Sequence, residues 1–439
     1  MAKLPHGNVD LYRELKDCFS ITPMKFSDFN KIFFYNKCPF FTQIEKYYSK
    51  EGDEFLKIYK YLQKLVKDIE IIFPQKELPI LKTKDKNKSL ELTRKQVALL
   101  FLLSFFYFIE DSKNNRFNVY NILYSKYGAK FEFGRCFLNY LTIIGKWLEQ
   151  EEINEEIKKI LEEKIIYKRD NIDSQDYLNN NIDLCEIKLD KEKSLFDGDD
   201  QYFIDFANKY IGGGTLTRGC VQEEILFAVQ PEAIVSMFFM EVMDKDDAIG
   251  IYNTIKYSNY TGYGNKFRFE NSSITNNLTQ IKKYKIIAID AVDNRHFYNN
   301  YYYFSNNNQK DIIRDIHKAY VGFNLVNSET EKNIEKTIAT GNWGCGAFGG
   351  NHELKFIQQW IAASFAGIER LDYYTFGENE MDYIAKKVNE IKLKYKEAFK
   401  LYEQLINNKL MSGKVARIIN KGNFDENEYE GEDFSCLNI

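Results

Sequence analysis

A chain of 439 residues, 44% apolar and 28% charged, has the length for two to three packed domains and the composition of an ordinary soluble globular protein. Its 60 basic and 64 acidic residues leave a formal net charge of -4, so no global field favours nucleic acid or an anionic membrane surface, and any anionic ligand has to be held locally. Seven scattered cysteines without CxxC spacing and four histidines without HxxxH spacing argue against a disulfide framework, a zinc cage or a His-built metal centre; a reducing compartment, no metal and no cofactor are expected.

The N-terminal "MAKLPHGNVDLYREL" lacks an apolar signal core, so secretion is not expected. Apolar positions recur at helical spacing over 55–73 and again over 133–165. Between them, "VALLFLLSFFYFI" (97–109) is 13 residues long, short of the roughly 18 to 20 that cross a bilayer, and reads as a buried helix. Thr93 and Gln96 fit a capping box at its start. "KTKDKNK" (82–88) is too weak a basic cluster for an import signal and reads as a solvated loop.

The polar, Asn- and Asp-rich stretch 167–184 marks a junction, dividing a helical domain over 1–170 from a second domain over 171–439. In the second, β-like runs alternate with helical ones: "QYFIDFA", a helix from Gln222, "DAIGIYNT", "YKIIAIDAV", a helix over 309–321, "KTIATGNWG", a helix over 352–368 and "RLDYYTFG". That alternation predicts an α/β sheet covered by helices, with "YKIIAIDAV" a central strand buried on both faces. One closing helix is expected over 379–410, then an acidic tail. "NNYYYFSNNNQK" (299–310) is a compositional tract expected to form a polar loop.

Of 24 glycines, four fall in 211–220 and five in 341–350, each block between a predicted strand and a predicted helix. Strand ends that open into helix N-termini are where α/β sheets bind ligands. Neither nucleotide fingerprint fits "GGGTLTRG", which has no GK[ST] and has Thr217 where a third fingerprint glycine would stand. Downstream, Glu223 and Glu224 are neighbours on a predicted helix start, diverging by about 100°, so they cannot oppose each other across a substrate. One must act while the other positions. Acids at a helix start are commonly there for the helix dipole alone; beside a glycine triplet, a partly dry carboxylate pair also suits a general acid at neutral pH.

GGG, seven residues and then QEE, "GGGTLTRGCVQEE", resembles the signature of the poly(ADP-ribose) glycohydrolase family. The resemblance continues in order through "DFANKYIGGG", "QEEILFAVQPE", "YSNYTGY", "IIAIDA", "KAYVGF", "TGNWGCGAFGG" and "YYTFG", over about residues 195 to 380. "LPILKTKDKNKSLELTRKQVALLFLLSFFYF" resembles the family's helical accessory region. The fold this implies is a macrodomain-like mixed β-sheet flanked by helices, preceded by an all-helical accessory domain.

The resemblance implies hydrolysis of ribose-ribose O-glycosidic bonds in poly(ADP-ribose), with ADP-ribose as product and poly(ADP-ribosyl)ated proteins as partners. Direct DNA binding and a membrane are not expected, and the location implied is intracellular, nuclear or cytoplasmic. Glu224 matches the family's catalytic acid and Glu223 the residue that holds ribose hydroxyls. Asp205 and Asn208 match "DFAN", in which the Asn contacts the ribose near the catalytic Glu while Asp205 either orders the loop or touches substrate. Gln222, completing the triplet, is a further substrate-binding candidate. Gly213 and Gly214 would let the backbone approach the diphosphate, with Gly346, Ala347 and Phe348 offering main-chain N–H groups to it and Asn342 at a ligand-contacting position. Tyr263 and Phe376 match adenine-side positions; Asp197 aligns poorly with the family's acidic segment. Cys345 and Cys220 are not read as nucleophiles, having no histidine nearby in sequence. The alternative is a non-hydrolysing ADP-ribose reader of the same fold.

Overall fold

The computed structural model describes residues 1–109, 117–126, 128–179, 181–193, 195, 202–275, 277–294, 306–328, 336–378 and 381–407. Asp197, the polar tract up to 305 and the acidic tail fall outside them. Two units share the chain, one from 1–173, 198–291 and 321–339, the other from 174–197, 292–320 and 340–439.

In the first unit a short strand, β1 (Ala2–Lys3), precedes α1 (Val9–Ser20), α2 (Asp28–Phe34), α3 (Pro39–Tyr47), α4 (Ser49–Lys67) and α5 (Ile69–Ile72), and β2 (Glu77–Leu78) returns antiparallel to β1. Side chains set the helix ends: Asn8 accepts the amides of Asp10 and Leu11, and Pro39 starts α3 where its missing N–H is no loss. Much of the chain's aromatic content is core. The fully buried Phe29 has the rings of Phe26, Phe33, Phe41, Phe55, Tyr59 and Phe106 around it, at 4.7 to 6.1 Å.

β3 (Lys88–Thr93) runs straight into α6 (Arg94–Phe105), where Gln96 N donates to Thr93 Oγ1 at 3.1 Å and Thr93 N to Gln96 Oε1 at 2.9 Å. The expected capping box is present, and α6 is buried all round, as its unbroken apolar run requires. The helical pattern over 133–165 is two helices, α7 (Ala129–Gln150) and α8 (Glu155–Glu162), because the Asn154 side chain accepts the Glu156 and Ile157 amides and begins a new one. β4 (Lys164–Asn171) follows and pairs antiparallel with β3. These two strands add sheet to the largely helical first 170 residues; β3, exposed along much of its length, carries little apolar pattern.

The remaining strands are β5 (Glu186–Asp190), β6 (Tyr202–Ala207), β7 (Asp247–Ile255), β8 (Ser258–Thr261), β9 (Arg268–Ser272), β10 (Lys283–Asp290), β11 (Thr337–Gly341) and β12 (Arg370–Tyr374). The helices among them are α9 (Gln222–Val229), α10 (Asn306–Asn324), α11 (His352–Phe365), α12 (Met381–Tyr395) and α13 (Ala398–Asn407). In the first unit the sheet order is β3-β4-β7-β10-β6-β11. It is mixed: β10 pairs antiparallel with β7 and parallel with β6, Ile287 lying between Gly250 and Ile204. Ile286 to Ile289 are fully buried, as expected of a strand covered on both faces.

In the second unit β12 pairs parallel with β5, Leu371 opposite Ile187. Trp360 of α11 is fully buried and donates Nε1–H to Cys185 O at 3.1 Å. The single closing helix expected from 379 is broken into α12 and α13 at Lys396, whose φ is +55° and whose carbonyl accepts the Leu184 amide at 2.7 Å. A tertiary hydrogen bond ends the helix there, which periodicity does not report. Among the described residues no helix is long and apolar enough to cross a membrane.

Candidate active site

β6 delivers the chain to the glycine triplet, and α9 starts at Gln222, so both acids of the QEE lie in the first turn of a helix. Each carboxylate receives two main-chain amides. Glu223 accepts from Gly212 N at 2.7 Å and Asn208 N at 2.9 Å; Glu224 accepts from Gly214 N at 2.8 Å through Oε1 and from Val221 N at 2.9 Å through Oε2. The carboxylates do not diverge as adjacent helical positions predict: each brings an oxygen to the same side of Gly213, where a Cβ would meet both. The Val221 bond is the ordinary use of an acid at a helix start. The Gly214 bond is not.

The structure gives the glycines a reason of its own. Gly213 has φ +48°, and a Cβ there would collide with the carboxylate oxygens of both Glu223 and Glu224. A Cβ on Gly214 would lie 2.7 Å from Gly219 N. The loop is therefore wrapped so tightly around the acid pair that side chains are excluded. The amides of Gly212 and Gly214 are engaged by those acids, and that of Gly213 by Tyr210 O at 3.0 Å.

Asp205, on β6, completes a group of three acids. It is fully buried and neither of its oxygens accepts a hydrogen bond. Burial first, and then the Glu224 charge, raise its pKa well above the ordinary aspartate value. Glu223, 2% exposed, shifts the same way through burial, Asp205 and Glu224, with the Asn208 and Gly212 amides acting in opposition. Glu224 is 6% exposed. Three carboxyls in so dry a place cannot all be ionised, and burial favours the protonated form of Asp205 and Glu223.

Gln222 is absorbed in positioning: its Oε1 accepts Phe206 N at 2.8 Å and its Nε2 donates to Ile204 O at 3.1 Å, gripping the backbone on either side of Asp205. Asn208 accepts the Tyr210 amide through Oδ1 at 3.0 Å, a turn that begins the loop. Tyr263 is 45% exposed. Burial of its hydroxyl end, with the Glu224 charge, pushes that hydroxyl up to about 12, against the lowering effect of the Gln222 amide.

One residue of this group has no signal in the sequence. Lys130, in the first turn of α7, donates from Nζ to Thr215 O at 2.8 Å, to Gly214 O at 3.2 Å and to Gly219 O. Burial draws its ammonium down to about 8, opposed by Glu224 and Cys220. A separation of 84 residues from Gly214 hides this contact from any local pattern. Past α9, the "QPE" glutamate anchors the segment: Glu232, fully buried, accepts from Tyr257 Oη at 2.6 Å, from Ile255 N at 3.0 Å and from the Arg94 guanidinium.

The second unit holds the other predicted residues. Asn342 follows β11 and braces its own loop, donating to Thr375 O at 2.9 Å and accepting from Tyr373 Oη at 3.2 Å. Gly346 and Ala347 are exposed, and a Cβ on Gly346 would meet nothing within 4 Å, so the space beside it is open. Phe348 O accepts the Asn294 amide at 2.8 Å. Phe376 sits past β12 with φ +54°, 61% exposed. Cys345 is buried and its thiol lies 3.7 Å from Trp343 O, consistent with a packing role.

Residues 174–383 match the family model described as poly(ADP-ribose) glycohydrolase, macro domain fold, and residues 48–168 match the one described as that family's helical domain. The chain is 33% identical over 277 residues to poly(ADP-ribose) glycohydrolase 1 of Arabidopsis thaliana, covering 47% of this chain and 48% of that protein. It is 27% identical over 310 residues to probable poly(ADP-ribose) glycohydrolase 2 of the same plant, covering 62% and 58%. To poly(ADP-ribose) glycohydrolase 1 of Caenorhabditis elegans it is 36% identical over 196 residues, covering 43% and 24%. The chain thus spans from 24% to 58% of the length of these relatives.

Proposed function

Since this chain belongs to the poly(ADP-ribose) glycohydrolase family, we propose that it hydrolyses the ribose-ribose O-glycosidic bonds of poly(ADP-ribose), polymer carried on proteins included, and releases ADP-ribose. In this reading Glu224 is the general acid and base. Its carboxylic acid protonates the leaving ribose oxygen, the ribose passes through an oxocarbenium-like state, and the resulting carboxylate takes a proton from the attacking water. One bond breaks, one C–O bond forms with water, and the proton returns to Glu224.

The observation that carries the proposal is the acid pair inside the glycine loop, with Asp205 of β6 electrostatically linked to it. Burial favours the protonated form of Asp205 and Glu223, which lessens the negative charge facing Glu224. The Gly214 and Val221 amides, one on each oxygen of Glu224, stabilise the carboxylate that appears when its proton leaves. A carboxylate has about four lone-pair sites, so each oxygen keeps one for substrate or water. Glu223 is assigned to the ribose hydroxyls, with Asp205, Asn208 and Gln222 supporting the acid pair.

For the second loop, the open space at Gly346 supports a role for Gly346, Ala347 and Phe348 as diphosphate neighbours. Tyr263 and Phe376, 45% and 61% exposed, keep the adenine-side assignment that the resemblance implies. An intracellular location goes with this substrate. The test is to incubate the protein with labelled poly(ADP-ribose) and follow free ADP-ribose by chromatography. Release is expected; binding of polymer without release would leave a reader, not an enzyme.

A further inference from the structure

The cation beside the glycine loop belongs to a helix far away in sequence. Lys130 Nζ meets three carbonyls, Gly214 O, Thr215 O and Gly219 O, and lies 4.2 Å from the centre of the Phe133 ring. A lysine ammonium has three N–H donors, and here each is matched by an acceptor. Three carbonyl dipoles converging on one point repel one another unless a cation sits among them, so lysine and loop geometry depend on each other.

Two of these residues, Gly214 and Gly219, border the Glu224 carboxyl. Gly214 donates its amide to Glu224 Oε1 and gives its carbonyl to Lys130, so this one residue is gripped from both sides. Gly219, whose carbonyl is the third acceptor, lies so close that a Cβ there would strike the Glu224 carboxylate. Removing the cation releases both walls around the acid.

Resting on the glycohydrolase reading above, we propose that Lys130 is a positioning residue: it closes the loop around Glu224 and fixes the direction in which that carboxyl meets the scissile oxygen. The helical domain would then contribute to catalysis by holding the catalytic loop, without touching substrate. Misplacing a catalytic group by about an ångström lowers rate by roughly 100-fold while ground-state binding changes far less.

The experiment compares wild type with Lys130→Met, Lys130→Arg and Lys130→Gln, each held below its melting temperature. The readouts are kcat and KM on poly(ADP-ribose) and the amide signals of [15N]glycine-labelled protein. Lys130→Met is expected to lose roughly 100-fold in kcat with a much smaller change in KM. Lys130→Arg, which keeps charge and donors, should recover part of the loss. The Gly212 and Gly214 amide signals should move in Lys130→Met, and Lys130→Gln gives the same readings if the methionine variant does not fold. A kcat per folded molecule equal to wild type, or unmoved glycine amides, overturns the proposal. An inactive wild type would count against the glycohydrolase reading alone, and the glycine amides would still decide the role of Lys130.

Discussion

Gly214 donates its amide to Oε1 of Glu224 at 2.8 Å, so the last glycine of the triplet and the second acid of the pair form one mechanical piece. Gly213 lies between two of the four amides that hold the acids, with φ +48° and no room for a Cβ. Gly213→Ala must displace both carboxylates. Turnover is expected to fall by about 100-fold. Stability in urea should drop by at least 1 to 2 kcal/mol, roughly the penalty of the left-handed backbone region alone. Wild-type turnover in this variant would contradict the tight wrapping of loop and acids.

Asp205 makes a prediction with a definite sign. Its folded pKa is raised, so the folded protein keeps a proton that the unfolded chain gives up above about pH 4. Stability from such a group is complete below the unfolded value and is lost as pH rises through the folded one, by up to about 1.4 kcal/mol per pH unit. Glu223 shifts in the same direction. Asp205→Asn removes one titrating member, so its stability relative to wild type should rise between about pH 5 and about pH 8. Urea midpoints at the two pH values check this; an equal difference at both would mean Asp205 is not held protonated.

The Arg94–Glu232 pair is fully buried, and Glu232 is further satisfied by Tyr257 and Ile255. Breaking it from one side leaves a charge in a dry site. Arg94→Met or Glu232→Gln is expected to cost roughly 3 to 5 kcal/mol in denaturant unfolding, and Arg94→Met combined with Glu232→Leu less than the sum. Additive losses would show that the two side chains do not depend on each other.

Local patterns carried much of this architecture. Thr93 and Gln96 announce α6 because a capping box is written within four residues, and the run 97–109 shows its burial directly. The glycine triplet and QEE are legible because steric exclusion and paired acids both leave a mark on residue type. What stayed hidden depends on distant partners. Lys130 reads as one more lysine at a helix start until α7 packs against the loop, and Lys396 ends α12 through a bond to Leu184 that no periodicity encodes. Gln222 looked like a ligand group, and the structure shows both ends of its amide on the β6 backbone. The steric need for glycine at 213 comes from the protein's own carboxylates, which a Cβ there would strike, a partner that the local sequence pattern does not name.

The central claim is that Glu224 transfers the proton that cleaves the polymer, and Glu224→Gln tests it most directly. The side chain keeps its size and can still accept the Gly214 amide, so ADP-ribose binding measured by calorimetry should stay close to wild type. Release of ADP-ribose from labelled polymer should fall by roughly 100- to 10,000-fold, the range for loss of a general acid. A Glu224→Gln protein that releases ADP-ribose at the wild-type rate would contradict the account.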